Sequence, residues 1–140
     1  MNRILIDKDD LTTFEVATKT SFPYLKRIGI TLNFLGYNDF LKKYFNVEEE
    51  DIESIYELTK ESIFWGNYLS EIKNLTNAYF LNKIIEKENR NIKGADNEIK
   101  AIRLFLRHLE IQIRYCNLIH SETLKLYRRN IFKITFRSSN

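Results

Sequence analysis

Apolar residues recur along most of this chain at steps of three and four, the spacing that gathers them on one face of a helix. The pattern is firmest in the last third. Ile99, Ile102, Leu106, Leu109, Ile113, Cys116, His120, Thr123 and Tyr127 alternate such steps, a heptad-like seam. Leu104, Phe105, Ile111, Tyr115, Leu118, Ile119, Leu124 and Leu126 widen it. Only Lys100, Arg103, Arg107, Glu110, Arg114, Asn117 and Ser121 form a polar stripe. So apolar a helix belongs inside a bundle or at an oligomer interface.

The spacing predicts this helix over 97–130, after a turn at Asn91–Asn97 that contains Gly94. A second long helix is predicted over 46–93, opened by the acidic cluster Glu48–Asp51 and carrying Trp65, Leu69, Ile72, Leu75 and Tyr79 on one stripe. Gly66-Asn67 is the natural place for a break or kink. Residues 1–45 read as short helices. One spans Leu11–Lys19 behind Asp9-Asp10, and one starts near Pro23 with Leu25, Ile28, Leu32 and Leu35. Gly36 is a plausible stop, and a short helix capped by Asn38 or Asp39 follows. Met1–Ile6 is a short strand or an irregular start, and the 131–140 tail, with Ile131–Phe136 alternating, is strand or helix. The expected fold is all-α: a long antiparallel hairpin packed with short N-terminal helices in one domain over 1–140.

With the turn centred near Lys93, residues whose numbers sum to about 186 should face each other. Glu53, Glu57 and Glu61 would then meet Lys125, Arg128, Arg129 and Lys133. Charge makes this pairing relevant. The net charge is only +3, but residues 46–94 hold six basic against ten acidic side chains and residues 95–140 nine against four. Facing helices of opposite sign partly neutralise each other, which discounts the C-terminal half as a free phosphate-binding patch. The hairpin is also longer than some forty N-terminal residues can cover, so a homodimer or a stable complex with a protein partner is expected.

Composition narrows the rest. One proline and four glycines disfavour an all-β chain, and a single cysteine, Cys116, excludes an intrachain disulfide framework. No apolar run is long enough to span a membrane, and the start lacks a secretory pattern, so a cytoplasmic setting is expected. No Gly-rich phosphate loop, nucleophile elbow or Glu-x-x-His pair is present. The line His108, Gln112, Cys116, His120 repeats every four residues, but a thiol and one adjacent imidazole are too few ligands for zinc. No metal and no cofactor are therefore expected.

Three functional readings follow. The leading one is a non-enzymatic helical interaction or regulatory protein, with Trp65, Phe105 and Tyr115 as candidate interface residues. Small size and AT-rich residue usage suggest an accessory of a phage or mobile element. The second rests on Arg114-Tyr-Cys-Asn-Leu-Ile-His120, which resembles the Arg-x(4–6)-His motif of HEPN-type ribonucleases, small helical bundles that usually work as dimers. That resemblance implies metal-independent RNA cleavage at a composite dimer site, with His120 moving a proton and Arg114 stabilising phosphorane charge. Arg103-Leu-Phe-Leu-Arg-His108 has the same pattern. The third is a nucleic-acid-binding module that grips phosphates through Arg103, Arg107 and Arg114.

Overall fold

The computed structural model describes residues 8–90 and 95–138. Four helices account for nearly all of them: α1 (Lys8–Arg27), α2 (Phe34–Asn46), α3 (Ile52–Arg90) and α4 (Ala95–Ser138), with no strand among the described residues. The protein is an all-α bundle in which α3 and α4 pack as a hairpin. The expected start at Met1–Ile6 and the Asn91–Gly94 turn lie outside the described residues.

Several boundaries differ from the sequence expectation, each for a local reason. The helix expected to end at Lys19 continues through Pro23 to Arg27 as α1, while Ile28 and Leu32 of the second expected helix fall in the connection and Leu35 in α2. Phe14, Ala17, Ser21 and Leu25 are all at most 1% exposed and step by three or four, so one buried stripe crosses the proline. Burying that stripe outweighs the roughly 3 kcal/mol that an interior proline costs. The stop comes at Gly29, not Gly36. Gly29 takes φ +77°, its N–H donates to the Lys26 carbonyl, and the Ile30 N–H reaches back to the Leu25 carbonyl. This is a Schellman cap, and the two residues it brings together, Ile30 and Leu25, are both buried.

Gly36 instead sits in the first turn of α2. Asn33 is the cap there, its side chain accepting the Gly36 N–H at 3.0 Å, so neither Asn38 nor Asp39 opens the helix. Asp51 caps α3 in the same way, accepting from the Ser54 N–H and hydroxyl. The acidic run therefore lies before α3, which begins at Ile52 and not at 46. At Gly66 α3 does not break. A Cβ there would meet Asn117 Oδ1 at 3.7 Å and Cys116 Cβ at 3.8 Å, ordinary contact, so α4 packs along an unbroken helix. The tail is helix to Ser138, not strand.

By packing, the chain divides into two compact units, and α3 and α4 each supply a stretch to both. The first holds residues 33–67 and 114–138. Here α2 buries Tyr37, Phe40, Leu41 and Tyr44 with Ile55, Leu58, Trp65, Cys116 and Ile119. The α3–α4 pairing is antiparallel, with Tyr56 against Tyr127 (ring centroids 5.7 Å apart) and Ser62 against His120. The predicted register would have set Tyr56 beside Asn130, so the true one is three positions earlier.

The expected charge pairs are replaced accordingly. Glu61 takes Lys43 at 2.9 Å, Arg129 takes Glu49 at 3.2 Å, and Lys125 takes Glu122 on its own helix at 3.4 Å. Asn130 also donates to the Glu49 carbonyl.

The second unit holds residues 8–32 and 68–113. Phe14 of α1 stacks on Phe105 with ring centroids 6.1 Å apart, and the Ser21 hydroxyl donates to the Ala101 carbonyl at 2.7 Å. Tyr68 ties α3 to the Thr31 carbonyl. Glu98, in the first turn of α4 and buried, accepts from the Tyr79 hydroxyl at 2.5 Å and pairs with Lys83 and Arg27. Thr76 is fully buried, whereas Leu75, expected on the inward stripe, is 58% exposed. Leu75 is displaced because the smaller Thr76 takes the inward position.

Candidate functional site

In the first unit, the structure places the two residues of the ribonuclease-like motif apart. Arg114 is exposed. Six residues of helix set it about 9 Å along the axis and roughly 120° around it from His120. His120 is half-buried, with Nδ1 3.2 Å from Ser62 Oγ. Ser62 gives its own proton to the Thr59 carbonyl at 2.9 Å. With the proton so placed, the Ser62 oxygen is free to accept from the Nδ1–H tautomer of His120, and the contact holds the Nδ1 side of the ring.

Cys116 is fully buried, and its Sγ donates to Tyr37 Oη at 3.9 Å. Burial pushes the thiol up to about 12, only partly offset by the Tyr37 hydrogen bond, so it stays protonated and inert at neutral pH. Burial, and then the neighbouring Cys116, raise the Tyr37 phenol as well. Among the described residues no group of three or more His, Cys, Asp or Glu is arranged to hold a metal ion. A small cleft of about 200 Å³ is lined by Lys43, Asn46, Val47, Ser54, Glu57 and Leu58, and its one ammonium is already bonded to Glu61.

The candidate interface residues fare differently from one another. Trp65 is 7% exposed, edge-on to Tyr37 (5.4 Å) and Phe64 (5.1 Å). Phe105, in the second unit, is fully buried under Phe14. Both spend their area inside the chain, while Tyr115 is half-buried.

In the second unit, Arg103 and Arg107 are exposed on α4, and the Arg103 guanidinium lies 5.8 Å from the Phe80 ring centroid. His108 is buried, and its Nδ1 has no hydrogen-bond partner. Burial lowers its pKa, as does the Arg107 charge, and Asp10 opposes them in part.

The feature that sequence reasoning missed is the outward face of α3 in this unit. Leu75, Leu81 and Ile85 are 58%, 52% and 54% exposed, and exposed Ala78 lies between them. Steps of three and four put all four residues on one side of the helix. The lysines of this stretch turn the other way. Lys73 pairs with Glu110 at 3.3 Å, Lys83 with Glu98 at 3.4 Å, and Lys87 with Asp96. Exposed Glu71, Glu86 and Glu88 remain around the apolar residues. The signal was present as a second apolar period, offset from the one through Leu69 and Ile72.

No protein-family model matches the sequence, and comparison with curated proteins and with solved structures finds no match. Among the described residues no helix is long and apolar enough to cross a membrane.

Proposed function

We propose that this chain is a non-enzymatic, cytoplasmic α-helical interaction protein whose work is to bind another protein or a second copy of itself. The observation that carries this reading is the outward face of α3 in the second unit, where three large aliphatic side chains are each more than half exposed on one stripe. With about half of each side chain already buried, leaving the rest in water forgoes about 1 kcal/mol apiece, which a partner would recover. Contiguous exposed apolar surface of this kind marks interaction sites more often than chance. The test is light scattering together with affinity capture by the intact protein and by Leu81→Asp. The reading requires a complex, with self or partner, that the substitution dissolves. A monomer whose captured set is unchanged by Leu81→Asp would remove it.

A ribonuclease reading keeps one favourable observation: Ser62 lies 3.2 Å from His120 Nδ1 and orients the half-buried ring from that side. It predicts cleavage of single-stranded RNA in EDTA that Arg114→Ala and His120→Ala both abolish. Binding of nucleic acid through Arg103, Arg107 and Arg114 would instead show affinity falling steeply with salt and no cleavage.

A further inference from the structure

The geometry points to a specific occupant for the α3 face of the second unit: a short amphipathic helix of a partner protein, apolar on one side and flanked by lysine or arginine. This rests on the interaction reading above and names the chemistry of the partner. Leu75, Ala78, Leu81 and Ile85 extend over about 15 Å, three turns of helix. Their steps of three and four match the ridges of a second helix laid alongside, and Ala78 lets the two backbones come close.

Charge then selects among helices. Lys73, Lys83 and Lys87 are all committed to carboxylates on α4. Among the described residues of α3, the exposed polar side chains around the apolar ones are Glu71, Glu86 and Glu88 with Asn74 and Asn82, so this side of the helix is acidic. A basic flank on the incoming helix is attracted to this rim, and an acidic flank is repelled. The same rim disfavours a second copy. A two-fold pairing of this face with itself would bring the Glu71 end of one α3 beside the Glu88 end of the other. Three aliphatic side chains also fall well short of the roughly 800 Å² per partner of a standard stable interface. A short helical segment, bound reversibly, suits the area better.

The test uses the full chain and three labelled peptides of about 18 residues, some five turns of helix. One is a leucine-seamed helix with lysine flanks, one the same seam with glutamate flanks, and one a scrambled lysine peptide. Fluorescence anisotropy should show the first binding, and binding about tenfold more weakly at high salt. Leu81→Asp should weaken it by at least about tenfold, since a charge then sits in the apolar contact. Glu71→Lys with Glu88→Lys, on exposed positions that leave the core alone, should move the preference to the glutamate-flanked peptide. Equal binding of the scrambled peptide, or preference for the glutamate-flanked one, overturns the inference. So does a dimer in sedimentation that Leu81→Asp separates, although the interaction reading would then stand. Failure of every peptide, with no effect of Leu81→Asp on any association, removes both.

Discussion

The indole of Trp65 lies directly over Gly36, where a methyl group would sit 3.1 Å from Cζ2 of the ring. The same methyl would meet Nδ2 of the cap residue Asn33 at 3.2 Å, and Trp65 is itself buried, edge-on to Tyr37 and Phe64. Gly36→Ala should therefore lower stability by about 1 kcal/mol net, with overpacking exceeding the gain in helix propensity. Urea unfolding should show this, and Trp65→Phe should cancel much of it in the double variant. Additive losses would mean that the contact does not govern the position.

Gly66 should behave in the opposite way. A Cβ there meets only Asn117 Oδ1 at 3.7 Å and Cys116 Cβ at 3.8 Å, ordinary contact distances. Because α3 is continuous through this point, Gly66→Ala should stabilise by about 0.5–1 kcal/mol through reduced backbone entropy of the unfolded chain. A lowered melting temperature would show that the two helices come closer than described.

Gly29 closes α1 at φ +77°. Space around it is open, so Gly29→Ala isolates the backbone term and should cost about 1 kcal/mol. Gly29→Asn should recover part of that loss, since asparagine tolerates the left-handed region best among the other residues.

His108 predicts a pH dependence. Its pKa in the fold lies below the ordinary 6.5, chiefly through burial and then Arg107, against the opposing pull of Asp10. The unfolded chain thus binds more protons in the window between the lowered value and about 6.5. Stability is full above that window and declines as pH falls through it. Equilibrium unfolding across pH 5–8 should show the decline, and His108→Gln should flatten it. An unchanged slope in the variant would assign the effect elsewhere.

The three-and-four spacing was enough to reveal the all-α class and the α3–α4 hairpin, because both helices are too apolar to form alone. What the sequence obscured was set by tertiary contact. Pro23 reads as a start, yet the buried Phe14–Leu25 stripe carries α1 through it. Gly66 reads as a break until Cys116 is placed against it. Trp65 reads equally as core or as interface anchor in the sequence, and packing buries it beside Tyr37 and Gly36. The α3 face was hidden for a related reason: Leu75 and Thr76 are neighbours, and only packing decides which one turns inward.

The inward turn of Lys73, Lys83 and Lys87 has an electrical consequence for the second unit. The outer side of α3 is left with Glu71, Glu86 and Glu88, while Lys100, Arg103 and Arg107 stand on the outer side of α4. The exposed carboxylates of α3 and the exposed cations of α4 therefore give this unit an uneven distribution of charge. A charged molecule approaching it is rotated before it touches, within the ~8–10 Å over which physiological salt leaves the field effective. Capture rates, as well as final affinities, carry the imprint of that asymmetry.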